Sequence, residues 1–320
     1  MNKYEAYEAY EEYRYVDHSR SAHRRRRGKD PSAQARRYRR RKVERMVEMS
    51  DGGEDFVPTY VANLDPRHHE REWVISSLRG FYVNNQVADV LRLVKGGKEA
   101  NVYLCQANPT LDVTFLAAKL YRPRMLRHLK NNAMYKEGRF MRDSDGKLVH
   151  GEREQRAMDN KTRFGQALDL SNWIMHEFGI QQRLYAAGGD VPRPVARGGN
   201  TILMEYLGDA VLPAPMLQEV RLAPEEVRPL FNRLMQNVRL MLQHHLVHGD
   251  LSAYNVLYWQ GRVTIIDFPQ VVDARKNGNA FALLERDVQR VCDYFAAYDL
   301  AADGTNLAAD LWHRYMHAEL

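Results

Sequence analysis

At 320 residues the chain has room for one two-lobed catalytic domain and an extension, and an apolar share of 44% is ordinary for a globular protein. No apolar run reaches membrane-spanning length and the Tyr- and Glu-rich N-terminus holds no signal peptide, so no membrane association is expected; Cys105 and Cys292, both in apolar patterns, exclude a disulfide framework and fit a reducing cytoplasm. Residues 1–50 hold 15 Lys/Arg against 8 Asp/Glu, a net of +7 against +6 for the whole chain, so the basic character belongs to this arm and not to the body.

Tyr4, Tyr7, Tyr10 and Tyr13 recur at every third position with Glu between, a period that suits neither a buried helix nor a strand. Residues 1–50 are therefore expected to form a disordered basic arm. Its densest blocks, Arg24 to Arg27 and Arg39 to Lys42, with Tyr38 interleaved, point to RNA or another polyanion. A solvated arm that keeps the protein soluble is the plainer alternative. Residues 51–66, polar with Pro58 and Pro66, read as a linker. From Arg67, the residues Trp73, Val74, Leu78 and Phe81 space as a short amphipathic helix that ends near Arg79-Gly80.

Val90 to Val94 and Ala100 to Gln106 predict two strands joined by Lys95-Gly96-Gly97-Lys98-Glu99. Two glycines there let the backbone approach a ligand and aim amides at phosphates, though an ordinary hairpin turn has the same composition. The third strand, Val113 to Tyr121, carries Lys119 in an apolar run, which is costly unless its charge has a use, such as the phosphates of ATP. Residues 122–168 are charged and poorly periodic, as in a partly flexible insertion. A helix from about Asp169 to Ala187 follows, stopped by Gly188-Gly189. Glu177 lies on its apolar stripe of Leu170, Trp173, Ile174, Phe178 and Leu184, and Lys119 is the natural cationic partner. Thr201 to Tyr206 is an apolar strand ending in Glu205-Tyr206-Leu207-Gly208, where a link between two lobes (67–208 and 209–320) would offer backbone groups to adenine.

Leu222 to Leu246 is the clearest helix, with Pro229 bending it or marking a later start. It delivers the chain to His248-Gly249-Asp250-Leu251-Ser252-Ala253-Tyr254-Asn255, and Asp267 closes the next apolar run. An Asp, an Asn five residues on, and a second Asp form a phosphoryl-transfer set. One carboxylate faces the acceptor hydroxyl while an amide oxygen and the other carboxylate hold Mg²⁺. A hairpin turning at Gln260-Gly261 would bring Asn255 and Asp267 to one end of two paired strands. His248 reads as a structural hydrogen-bonding residue and not as a general base. A last amphipathic helix carries Phe281, Leu284, Val288, Val291, Cys292 and Phe295.

These motifs together resemble the RIO family of atypical serine/threonine protein kinases. Lys98-Glu99-Ala100-Asn101-Val102-Tyr103 is similar to its loop signature STGKEANVY, HGDLSAYN at 248–255 to its catalytic loop, and Ile266-Asp267-Phe268-Pro269-Gln270 to its metal loop. The resemblance spans about 67–300 and implies a two-lobed α+β fold with a β-rich N-terminal lobe and a short helical C-terminal lobe. It implies Asp250 at the acceptor hydroxyl, Asn255 and Asp267 on Mg²⁺, Lys119 on the phosphates of ATP and paired with Glu177, and Gly96, Gly97 and Lys98 over the triphosphate. It also implies transient phosphorylation of Asp267 with ATP hydrolysis, and a ribosomal-particle partner. The chain departs from the pattern where Lys95-Gly96-Gly97 replaces Ser-Thr-Gly and in the insertion. With 53 residues after Asp267, a long regulated activation loop is not expected. Two other readings remain: a small-molecule kinase of the aminoglycoside or choline phosphotransferase type, and a nucleotide-binding scaffold that docks on RNA with little turnover.

Overall fold

The computed structural model describes residues 56–63, 69–122 and 163–320. The arm and residues 123–162 of the expected insertion lie outside the described residues. In chain order the N-terminal lobe contains α1 (Thr59–Ala62), α2 (His69–Val83), β1 (Val87–Gly96), β2 (Ala100–Ala107), β3 (Phe115–Tyr121), α3 (Arg163–Ala186), β4 (Pro194–Gly198) and β5 (Thr201–Glu205). The five strands form one antiparallel sheet in the order β1-β2-β3-β5-β4.

Strand alternation decides what each face of this sheet does. On β3, Leu116, Ala118 and Leu120 turn to one face and pack with Val74, Leu78 and Phe81 of α2. The residues between them turn to the other face. There Tyr121 joins Trp173, Ile174 and Phe178 of α3, while Ala117 joins Leu104 and Tyr206. Lys119 shares that second face, opposite Val102 of β2.

Among the boundaries that differ from the sequence expectation, three bear on the packing of the N-terminal lobe. Part of the stretch read as a linker is packed: Phe56 and Val61 are buried with α2, and the Thr59 N–H and hydroxyl both donate to the Asp89 carboxylate, at 2.8 and 2.5 Å. Helix α2 runs past Gly80 to Val83, because Phe81 is buried and Tyr82 stacks on Phe56 at 4.6 Å, contacts that outweigh a glycine's weak helix propensity. Helix α3 starts at Arg163, so the last residues assigned to the insertion are helical.

The C-terminal lobe is mainly helical. Helix α4 (Pro224–Gln243) continues through Pro229 and buries Val227, Leu230, Phe231, Leu234, Val238, Met241 and Leu242. Two short antiparallel pairs follow: β6 (Leu246–Val247) with β9 (Val272–Asp273), and β7 (Val256–Trp259) with β8 (Arg262–Ile265). The β7–β8 hairpin turns at Gln260 and Gly261, whose φ angles of 50° and 75° are those of the tight turn expected from the sequence. Helix α5 (Ala280–Ala296) packs on α4. Only residues 268–279 separate it from Asp267, so no long activation loop intervenes. Helix α6 (Gly304–Met316), unforeseen in the sequence, buries only Gly304, Ala308 and Leu311, a stripe too small to register as a pattern. The fold is thus a two-lobed α+β structure of the expected kind, and among the described residues no helix is long and apolar enough to cross a membrane.

Candidate active site

Lys119 is the electrostatic centre of the cleft. Its Nζ lies 2.7 Å from Glu177 Oε1 on α3 and 2.6 Å from Asp267 Oδ1 in the loop after β8, joining the lobes through one ammonium. The Tyr121 hydroxyl donates to the other Glu177 oxygen, and the Lys119 ammonium sits 5.1 Å from the Tyr121 ring centre. Burial works against the charged ammonium, but Asp267 and Glu177 outweigh it and hold Lys119 well above its usual value. Burial dominates at Glu177, which is raised despite Lys119. At Asp267 partial burial opposes ionisation, yet Lys119 wins and the carboxyl is held low.

The 248–255 loop is organised from beneath by α5. The buried Asp287 carboxylate accepts the Gly249 N–H at 2.7 Å and the Leu251 N–H at 3.0 Å, clamping the residues on either side of Asp250. Arg286 donates to the Gly249 carbonyl. Gly249 has φ 80°, a conformation glycine adopts without strain, so the chain can turn Asp250 outward. Asp250 Oδ1 then accepts from Arg290 at 2.8 Å, and Oδ2 from the Asn255 amide at 3.2 Å. His248 is buried; its Nε2 meets the Ile266 carbonyl at 3.2 Å and its Nδ1 accepts the Asp250 N–H at 3.3 Å. Burial lowers its basicity, so the ring stays neutral with both nitrogens in use. It ties the two loops together, as expected of a structural histidine.

The loop after β8 is tied to Asn255 through the residue before Asp267, since the Ile266 N–H donates to the Asn255 carbonyl at 2.9 Å. The Asn255 side-chain NH₂ is committed to the Asp250 carbonyl, at 2.8 Å, and to its carboxylate. Both partners are acceptors, so the orientation of the amide is fixed and its oxygen is the atom left over. Asp267 likewise has one oxygen on Lys119 and one that no described residue claims. Its φ of 73° is an uncommon backbone state for a non-glycine residue, of the kind that concentrates at functional sites.

Gly96, Gly97 and Lys98 lie exposed at the β1–β2 turn. Gly97 is required by space: an added Cβ would meet the Ala100 carbonyl oxygen at 2.7 Å. The Gly97 N–H points to Asn101 Oδ1 at 3.3 Å. The link between the lobes divides the two residues proposed for it. Glu205 has its N–H on the Arg193 carbonyl at 2.8 Å and its carboxylate on the Arg193 N–H at 3.0 Å, which fastens the link to the residue before β4. Tyr206 is a buried wall residue, packed with Leu104 and Ala117 and with the half-buried Val94, Val102, Phe115 and Met204. Its hydroxyl accepts from Arg92 at 3.1 Å.

Of the residues expected from the sequence, the structure places Glu177, Lys119 and Asp267 in one bonded group and Asp250 and Asn255 in another, joined through Ile266 and His248. Sequence reasoning missed Tyr121, Asp287 and Arg290, which act on those residues from other elements. Alternation along β3 and a buried Asp on an amphipathic helix were the available signals. It also missed Val102, Ala117 and Met204, which line the sheet face beside Lys119 and form an apolar layer suited to a planar base.

Comparison with known proteins agrees with these motifs. The RIO domain family model matches residues 101–305. The serine/threonine-protein kinase RIO1 of Homo sapiens is 29% identical over 216 residues, covering 67% of this chain and 34% of that protein. The RIO-type serine/threonine-protein kinase Rio1 of Haloferax volcanii is 31% identical over 218 residues, covering 67% of this chain and 66% of its own length. The match therefore spans about a third of the human protein. Among solved structures, the Rio2 kinase of Chaetomium thermophilum in an ADP/Mg²⁺-phosphoaspartate complex aligns with a TM-score of 0.49 at 20% identity, over 77% of this chain and 70% of that one. With the family model matching well over half of the sequence, the chain belongs to the RIO domain family.

Proposed function

We propose that the cleft binds ATP with Mg²⁺ and transfers the terminal phosphoryl group to a serine or threonine hydroxyl of a protein. The observation that carries this reading is the connected set Glu177–Lys119–Asp267 and Asp250–Asn255, with one oxygen each of Asn255 and Asp267 left unclaimed. Those two oxygens would hold Mg²⁺, which supplies charge neutralisation on the phosphates. Among the described residues no cluster of three or more His, Cys, Asp or Glu side chains could bind a metal. Mg²⁺ usually takes one or two protein ligands and completes its shell with water and phosphate.

Lys119, kept charged and aimed by Glu177, would hold the phosphates, and the glycine turn would cover them. Tyr206, Val102, Ala117 and Met204 would pack on the base. The acceptor oxygen forms the new P–O bond as the bond to the leaving diphosphate breaks, and Asp250 takes the hydroxyl proton. A second fate, hydrolysis through a transient phospho-Asp267, is favoured by one observation. Asp250 has both oxygens engaged, whereas Asp267 has one free.

The arm at 1–50, with its net charge of +7, would contact RNA or a ribosomal particle, and two buried free cysteines suit a cytoplasmic location. The chain would divide into an arm over 1–50, an N-terminal lobe to residue 208 and a C-terminal lobe beyond it, with Phe56 and Val61 packed into the N-terminal lobe. Incubating the protein with γ-labelled ATP and a protein acceptor tests the reading. Label should reach Ser or Thr, or appear as a hydroxylamine-sensitive mark on the chain itself, and Asp250→Asn should slow transfer by roughly 10²–10⁴-fold. Absence of label and of ATP consumption under all conditions would overturn it in favour of a nucleotide-binding scaffold.

A further inference from the structure

The turn that would cover the nucleotide begins with Lys95, where the family signature has Ser, and the geometry of β1 turns that lysine into the cleft. Along β1, Leu93 pairs with Tyr103 of β2, and both belong to the core beneath α2. Val94 turns to the other face, against Ala117 and Tyr206. Simple alternation would then return Lys95 to the α2 side. Instead the register shifts between Leu93 and Lys95, and Lys95 pairs with Val102, which itself pairs with Lys119. A bulge of this kind re-aims a side chain. It leaves Lys95, Val102 and Lys119 abreast on three neighbouring strands, facing the same way.

The Lys95 ammonium is exposed and has found a poor partner. It lies 3.0 Å from the thioether sulfur of Met216, which sits across the cleft just before the 3₁₀ turn Leu217–Glu219 and bridges to Leu257 of β7. A thioether is a weak acceptor without charge. Among the described residues no carboxylate lies within ion-pair distance of Lys95. Lys119, by contrast, already has two. A cation without a counter-ion, two strands from Lys119 on the same sheet face, is arranged for an anion bound between the two.

We infer that Lys95 is a second phosphate-binding cation of this chain, engaging the polyphosphate tail of a bound nucleoside triphosphate. The inference rests on the nucleotide-binding reading above and adds a determinant that the family's Ser-Thr-Gly start does not supply. Its chemistry is specific: the interaction is ionic and absent for a nucleoside without phosphates.

The test is equilibrium binding of ATP and of adenosine to the full-length wild type, Lys95→Met and Lys95→Arg, at several salt concentrations, with urea midpoints confirming that each variant is folded. Removing one charge-assisted hydrogen bond from a partly solvated site should make Lys95→Met bind ATP about tenfold more weakly. Adenosine affinity should stay within about twofold. Lys95→Arg should retain ATP affinity to within about threefold, and the salt dependence of ATP binding should flatten in Lys95→Met alone. ATP affinity unchanged in Lys95→Met, or reduced equally for ATP and adenosine, would overturn this inference while leaving the nucleotide-binding reading intact. A wild type that binds neither ligand would overturn that reading and this inference with it.

Discussion

Removing Lys119 should destabilise the fold through Glu177 and not through Asp267, although the lysine touches both. The side chain of Glu177 is 3% exposed and that of Asp267 is 41% exposed. Without the ammonium, Asp267 can be hydrated and contributes little, as partly exposed pairs do. Glu177 cannot, and keeps only the hydrogen bond from Tyr121. Breaking a buried pair from one side costs about 3–5 kcal/mol, so Lys119→Met should lose roughly that much. Lys119→Met/Glu177→Gln removes the stranded charge yet leaves a carbonyl for the Tyr121 hydroxyl, and should recover most of the loss. The pH dependence carries the sign. Burial already raises Glu177, and losing the lysine raises it further. A raised carboxyl contributes stability at low pH that is lost as pH rises through its folded value, so the Lys119→Met deficit should shrink on acidification and grow toward neutrality. Urea unfolding of wild type, single and double variants at pH 5 and pH 8 measures all of this. A single variant within about 1 kcal/mol of wild type at pH 8, or a double variant no more stable than the single, would refute the reasoning.

Burial pushes Asp287 from 3.8 up to about 7, so the folded chain holds an extra proton between those values and the stability this group contributes is lost as pH rises toward 7. Asp287→Asn should therefore gain on wild type with rising pH, by up to roughly 1.4 kcal/mol per unit, in urea melts across that window. Asp287→Ala should behave differently: it strands the Gly249 and Leu251 amides, costs about 2–4 kcal/mol, and slows phosphoryl transfer more than it weakens ATP binding. Gly97→Ala should weaken ATP binding more than Gly96→Ala in the same titration, because its Cβ would collide with the Ala100 carbonyl whereas the nearest atom to one on Gly96 is 3.8 Å away.

The candidate site residues were legible because they lie in short contiguous runs whose spacing is set by a loop and a hairpin. The sequence positions of Asp250, Asn255 and Asp267 already imply one site once Gln260-Gly261 is read as the turn. Lys119 and Glu177 were legible for a different reason: a charge inside an apolar pattern must be compensated, and each had only the other to suggest it. What escaped was whatever depends on packing between distant segments. The direction of Lys95 turns on a bulge that alternation cannot forecast. The support from Asp287 and Arg290 requires α5 to lie under the catalytic loop, and the packing of Phe56 and Val61 needs a partner surface from α2 and β1. Helix α6 escaped because its buried stripe is small. At Glu205 the junction was legible, while the engagement of its N–H and carboxylate by the Arg193 backbone was not.

The central claim is that Asp250 and Asp267 divide acceptor activation and metal binding between them, and ATP titrations of Asp250→Asn and Asp267→Asn at a series of Mg²⁺ concentrations test it most directly. The geometry predicts that Asp250→Asn binds ATP with the Mg²⁺ dependence of the wild type, because Asn255 and Asp267 both remain. Asp267→Asn should lose most of that dependence, since a carboxylate ligand is replaced by a neutral amide. Identical Mg²⁺ dependence in the two variants, or its loss in Asp250→Asn alone, would contradict the assignment.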